Sequence, residues 1–255
     1  MPQAALWDRN DCESGNEMRE EQMQAEQMKG RRGILLDVDG TLWDSTSEVT
    51  DSWNDYGKSQ PDVTHVITED EMRGVFGRTM VEIADLIYGY LSKERRIEVM
   101  EAAMKHEVAY LWDHPGKVYP KVRETLEKLH DDGWELMIVS NCQKGYIEDL
   151  LHELGKESAA LIRDHLCYED TGQGKDKNIR LCAERNGLDY ALYVGDTSMD
   201  MEASRKAGVD FVYCAYGFGN VDAAAEGVPS AGAFSELPMI LKQMAAAKGF
   251  HVYSR

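Results

Sequence analysis

No stretch of this chain holds the roughly eighteen consecutive apolar residues that a membrane-crossing helix requires. Its start, MPQAALWDRNDCESGNEMREEQMQAEQMKG, has no basic segment leading into an apolar core, so it does not read as a secretory signal. Cysteine is sparse: five residues, an odd number, with no CxxC spacing. That pattern argues against a zinc site and leads us to expect reduced thiols and a cytoplasmic setting. Positive charge is also short, with 28 Lys+Arg against 46 Asp+Glu and a net charge of -18. Such a surface repels nucleic acid and anionic membranes, so neither is expected as a partner. It would repel a phosphorylated substrate as well, and phosphate chemistry on this chain would need a cation and local basic residues. None of the seven histidines has a partner spacing that suggests a ligand. There is no internal repeat, no long low-complexity tract and no signal of an oligomeric state.

What the chain does have is 255 residues at 43% hydrophobic, enough to bury a sizeable core in one large or two smaller domains. Its most informative stretch is Gly33 to Asp44, GILLDVDGTLWD. The apolar run Ile34-Leu35-Leu36, bounded by a turn glycine, reads as a buried strand. It delivers Asp37 and Asp39, then Gly40 and Thr41. Paired carboxylates at a strand end are costly to bury and resist joint ionisation unless a cation lies between them. The pattern points to a metal-assisted site at the end of a central strand.

Residues 1–30 carry seven acidic and three basic side chains and little apolar periodicity, so they read as disordered or loosely extended. An alternative is that natural translation begins at Met28. Residues 46–116 read as an all-helical insertion. Thr68-x-x-Glu71 and Thr79-x-x-Glu82 resemble capping boxes, and Val81, Ile83, Ala84, Leu86, Ile87, Tyr90 and Leu91 recur at helical spacing. A further helix is expected from Ser92 towards Trp112. From Tyr119 onward strands and helices alternate. The expected helices start with Pro120 in a first turn and include Ile147–Leu154, Lys177–Asn186, Met199–Ala207 and Ser235–Lys248. The expected strands are Glu135–Val139, Leu166–Tyr168, Ala191–Val194 and Asp210–Tyr213. This alternation implies right-handed crossovers and a parallel sheet, whose ligands sit beyond the carboxyl ends of the strands. Asp37, Ser140 and Asp196 each fall at such an end.

In order along the chain, DVDGT, VSN, a lysine before a helix and GDTSMD resemble the four motifs of the haloacid dehalogenase-like hydrolase superfamily. The helical block resembles the C1 cap of its phosphoglycolate phosphatase and beta-phosphoglucomutase branch. The resemblance spans about residues 31–245. It implies an α/β fold, a Rossmann-like parallel sheet core over residues 31–45 and 117–255 with an inserted all-helical cap over residues 46–116. By resemblance Asp37 is the nucleophile that forms an aspartyl-phosphate, and Asp39 is the general acid/base. An aspartate at 39 favours phosphate esters over halide displacement. Asp196 would hold Mg²⁺ with Asp37 and the backbone carbonyl of Asp39, and Asp200 would act nearby on the metal. Ser140 and Asn141 would grip the phosphoryl group, with Gly40 and Thr41 shaping the turn beneath it. Lys175 matches the third motif. The family often has proline after this lysine, whereas Asp176 follows here, so Lys177 stays open as the alternative.

In the cap, Gly74–Thr79 is the expected selectivity segment, and Arg78 would meet an anionic substrate group. An ordinary surface arginine fits that position nearly as well. Trp43 suits either a pocket wall or packing at the base of the cap, and Cys142 reads as a small buried hydrophobe. The resemblance thus implies a Mg²⁺-dependent phosphatase of a small phosphorylated metabolite. A beta-phosphoglucomutase-like isomerase and a non-catalytic binding protein of the same fold are the alternatives.

Overall fold

The strand expected at residues 34–36 forms the centre of the molecule. It is β1 (Arg32–Leu36), flanked by β4 (Glu135–Val139) and β6 (Tyr190–Gly195), and both pairings are parallel. The computed structural model describes residues 30–249. The expectations for residues 1–30, Gly30 aside, and for a start at Met28 fall outside them. With β5 (Ile162–Leu166), β7 (Asp210–Cys214) and β8 (Ser230–Ala231), the sheet runs in the order β5-β4-β1-β6-β7-β8.

Helices cover both faces of this sheet, which is why its inner strands are apolar without alternation. Successive side chains nonetheless divide by face. Ile34, Leu36, Leu136, Ile138, Leu192 and Val194 join the larger core cluster. Leu35, Met137, Val139 and Tyr193 join the smaller one, under the helices that carry Ile179 and Met201. Each fully buried Leu or Ile in these layers contributes roughly 1.5–3 kcal/mol.

Four helices lie between residues 46 and 113: α1 (Thr46–Lys58), α2 (Glu69–Arg73), α3 (Met80–Ile87) and α4 (Lys93–Asp113). Both expected capping boxes form, with Thr68 paired to Glu71 and Thr79 to Glu82. Helix α4 is capped by Ser92. Helix α3 is shorter than the apolar spacing suggests: it ends at Ile87, and only Ile83, Ala84 and Ile87 of it are buried. Val81, Leu86 and Tyr90 point outward, because the run is apolar on more than one face. The insertion enters and leaves through a two-rung antiparallel neck, β2 (Trp43–Asp44) against β3 (Lys117–Val118), with Trp43 opposite Val118 and Asp44 opposite Lys117.

Beyond the neck lie α5 (Val122–Asp131), α6 (Tyr146–Leu154), α7 (Lys175–Arg185), α8 (Ser198–Ala207) and α9 (Leu237–Ala247). Several boundaries shift by a residue or two, as where α7 begins at Lys175 rather than Lys177 and α9 at Leu237 rather than Ser235, and two further differences have a clear cause. Pro120 stands before the helix rather than in its first turn, because Lys121 takes a left-handed conformation (φ 67°) at the α5 N-cap. Strand β5 lies earlier than Leu166–Tyr168, since its residues Arg163, Asp164 and His165 hide it from an apolar-run reading. An edge strand tolerates such polar residues.

Candidate active site

Three strand ends deliver the site. The N–H of Asp37 still bonds to Val194 O on β6 (2.9 Å), so Asp37 stands beside Gly195 and Asp196 at the carboxyl edge. The chain then folds back on itself, with Leu42 N–H on Val38 O (2.8 Å) and Gly40 N–H on Trp43 O (3.0 Å). Gly40 has a φ of +75°, and a Cβ there would lie 2.1 Å from Asp196 Oδ2, so glycine alone fits both demands. Thr41 is buried in this turn, and its carbonyl accepts a bond from the Tyr216 hydroxyl (2.7 Å). Ser140 follows β4 and donates its N–H to Leu166 O (3.1 Å).

Lys175, in the first turn of α7, is buried and donates to Asp37 Oδ1 (2.9 Å) and Asp200 Oδ1 (2.6 Å). Lys177 is exposed on the other side of that turn. Asp200 is the third residue of α8 and closes its capping box: its Oδ2 accepts from the N–H (3.0 Å) and hydroxyl (2.6 Å) of Thr197. Both of its oxygens are thus engaged. Asp196 Oδ2 accepts from the Phe218 N–H (2.6 Å), whereas its buried Oδ1 has no hydrogen-bond partner among the described residues.

Oxygens of Asp37, Asp196 and Asp200 lie within 4.8 Å of one another. An all-carboxylate donor set with one orphaned buried oxygen fits a hard divalent cation such as Mg²⁺. The side chain of Asp39 stands outside this group, and the expectation for Asp39 concerned its backbone carbonyl. Charge crowding is evident in the acidities. Burial, then repulsion from Asp200, pushes Asp37 up to about 7 against the pull of Lys175. Burial, then Asp200 and Asp37, pushes Asp196 up to about 8. Burial alone would lower Lys175, but Asp200 and Asp37 outweigh it and hold the ammonium well above its ordinary range.

Asp39 is held differently. Its Oδ1 accepts from Trp43 Nε1 (3.0 Å), Ser45 Oγ (2.7 Å) and the Tyr146 hydroxyl (2.6 Å). Burial pushes it up to about 6, against the lowering effect of these bonds, Tyr146 first. Ser45 Oγ and Tyr146 OH also lie 2.7 Å apart. Two hydroxyl protons then serve three O···O contacts, and both can be donated to Asp39 Oδ1.

The helical insertion closes over these groups. Asn141 Nδ2 donates to Gly77 O (2.9 Å), Arg78 lines the cavity with its Nε unbonded among the described residues, and Phe76 stacks on Phe218 at 5.3 Å. The cavity left between them is about 30 Å³. That holds a water or two and no metabolite. Cys142 is buried at its edge, and burial raises its thiol, so it stays inert.

Four contributors escaped the sequence reading. Ser45, Tyr146 and Glu107 offer no local pattern. The Phe218 N–H does have a signal, because Gly217 and Gly219 bracket it. A Cβ at Gly217 would sit 2.3 Å from Asp196 Cβ, and one at Gly219 2.0 Å from Asp196 O. A glycine pair after a strand is a mark of close backbone approach.

Glu107, on α4, is buried against the cavity. Its carboxylate accepts from Trp53 Nε1 and from Gln143 Nε2 (2.8 Å), bridging the insertion to the loop after β4. Burial pushes it from 4.5 up to about 8, those two bonds opposing and Asp39 adding to the rise. The folded state therefore keeps a proton that the unfolded chain releases, and this contribution is complete below pH 4.5 and lost as pH rises towards 8. Glu107→Gln should remove up to ~5 kcal/mol of that pH dependence. In thermal melts the variant's advantage over wild type should grow from pH 5 to 8.5. A difference that stays constant with pH would contradict the assignment.

The family described as haloacid dehalogenase-like hydrolase matches residues 34–214. A phosphoglycolate phosphatase of Aliivibrio fischeri is 25% identical over 211 residues, covering 77% of this chain and 89% of its own. That of Aquifex aeolicus is 28% identical over 202 residues, covering 73% and 86%. Among solved structures, a Haemophilus somnus protein described as a predicted phosphoglycolate phosphatase superposes with a TM-score of 0.71 at 22% identity, over 84% of this chain and 99% of that one.

Proposed function

The chain belongs to the haloacid dehalogenase-like hydrolase family, and from that membership we propose that it is a Mg²⁺-dependent phosphatase of a small phosphorylated metabolite, working through an aspartyl-phosphate at Asp37. The observation that carries this reading is the buried cluster in which Lys175 grips Asp37 while Asp196 Oδ1 lacks a partner among the described residues. A carboxylate held by a lysine at a strand end is positioned for attack on phosphorus.

In the first half-reaction an oxygen of Asp37 bonds to phosphorus, the bond to the leaving oxygen breaks, and Asp39 gives that oxygen a proton. In the second, Asp39 takes a proton from water as the water attacks the same phosphorus, freeing phosphate and restoring Asp37. Lys175 offsets charge on Asp37 and the phosphoryl group, and Ser140 and Asn141 hold the phosphoryl oxygens over the Gly40–Thr41 turn. Mg²⁺, held by Asp37, Asp196 and the Asp39 carbonyl, with Asp200 behind them, would neutralise the carboxylates and polarise the phosphoryl group.

Residues 46–116 act in this reading as a cap that must lift, since a cavity of about 30 Å³ admits no metabolite. The names of the relatives point to phosphoglycolate-like substrates. Arg78 is the one cationic side chain lining the cavity among the described residues. That suits one anionic group on the leaving half, and it favours hydrolysis over an isomerase that must hold a second phosphate. No helix among the described residues is long and apolar enough to cross a membrane. The free, buried Cys142, Cys167, Cys182 and Cys214 suit a reducing, cytoplasmic setting.

The reading is tested by phosphate release across a panel of phosphorylated metabolites, with and without excess chelator. Release that persists in chelator would overturn the metal assignment. Independently of turnover, Mg²⁺ at about 100 times its Kd should stabilise the wild type by ~2.7 kcal/mol. Asp196→Asn should lose that shift in a thermal melt.

A further inference from the structure

Tyr146 has no part in the chemistry described so far, yet it makes the shortest contact to Asp39. It opens α6, on the core side of the site, and its ring meets Trp43 edge-on at 5.5 Å and 84°. Trp43 belongs to the neck strand β2, and Ser45 follows that strand just before α1. The three side chains come from two separate parts of the chain and converge on one oxygen, Asp39 Oδ1. The other oxygen, Oδ2, accepts no hydrogen bond among the described residues. A buried tyrosine hydroxyl commonly finds whatever acceptor is nearest. Here the acceptor already had an indole and a serine, so satisfying Tyr146 alone does not account for the arrangement.

We propose that Tyr146 is a positioning residue: with Ser45 and Trp43 it pins Oδ1 of Asp39 against the neck, so that Oδ2 alone is presented to the leaving oxygen. When the Oδ2–H bond breaks and the proton passes to the leaving oxygen, the carboxylate charge that forms is shared with Oδ1. There three donors receive it without reorganisation. In the return step water gives its proton to Oδ2 and the charge is withdrawn from the same donors. The inference rests on the phosphatase reading and assigns the residues that make Asp39 an effective acid.

Tyr146→Phe removes the hydroxyl and keeps the ring against Trp43. The test compares kcat/KM for an alkyl phosphate, glycerol phosphate, with that for p-nitrophenyl phosphate. The alkoxide leaves only with a proton, whereas the nitrophenolate leaves without one. The alkyl-to-aryl ratio of kcat/KM should fall at least about tenfold in the variant, a part of the ~10²–10⁴ that a positioned acid supplies. Ser45→Ala should lower the same ratio, and it decides the matter if Tyr146→Phe does not fold. A loss shared equally by both substrates, or no loss on either, would overturn the inference. Wild-type protein that releases phosphate from neither substrate would overturn the phosphatase reading, and this inference with it.

Discussion

Asp37→Asn will release no measurable phosphate, a loss on the order of 10⁴-fold or more, while its folded state is at least as stable as the wild type. The two halves of this expectation have different causes. An amide of the same shape cannot form the acyl phosphate, so turnover is lost with the covalent step. Stability moves the other way, because Asp37 is buried beside Asp196 and Asp200 and is pushed up to about 7 chiefly by burial, then by Asp200. Removing one of three crowded carboxylates relieves repulsion, although Lys175 loses one partner and keeps Asp200. A phosphate-release assay paired with a metal-free thermal melt reads both. Turnover within tenfold of wild type would remove Asp37 as the nucleophile. A large drop in melting temperature would show instead that the mutation acts on the fold.

Lys175→Met should be the most destabilising single change at the site, costing about 3–5 kcal/mol, because it leaves buried charge without its partner. Asp37 and Asp200 both lose the one cation bonded to them among the described residues, and both are buried. For a chain of this size that is roughly a 10 °C fall in melting temperature. Without the lysine, which pulls Asp37 down, Asp37 keeps its proton to higher pH. The variant is therefore least impaired in acid, and its deficit grows as pH rises. Lys177→Met, on an exposed side chain two residues on, should stay within ~0.5 kcal/mol of wild type. Equal effects of the two substitutions on melting temperature and turnover would undo the assignment of Lys175.

What was legible in the sequence is what is local in the chain. The run Ile34-Leu35-Leu36 followed by two aspartates encodes strand, turn and carboxylates within a few residues. Thr68 with Glu71 and Thr79 with Glu82 are encoded as compactly. Ser140 and Asp196 could be placed because strand alternation fixes where strand ends fall. What was not legible depends on distant partners or on competing signals. Tyr146 acquires its meaning from Asp39, 107 positions away, and Glu107 from Trp53, 54 positions away. The neck pairs only Trp43–Asp44 with Lys117–Val118, too few residues to show a period of two. Strand β5 was obscured by its own charges, and the outward-facing Val81 and Leu86 by an apolar run that exceeds what α3 buries. The left-handed Lys121, which moved the start of α5, has no residue preference to announce it.

The neck has a consequence for how this architecture can vary. Its two rungs place the residues at which the chain leaves the core beside those at which it returns, so in chain connectivity the insertion hangs from a gap one hairpin wide. As a matter of connectivity, the segment between Asp44 and Lys117 is a single loop with its ends already joined. Closing such a loop becomes only slowly harder as it lengthens. The same sheet and the same aspartates could therefore carry a longer, shorter or differently folded canopy beyond Ser45, and selectivity could be exchanged as a unit provided that Ser45 keeps its bond to Asp39.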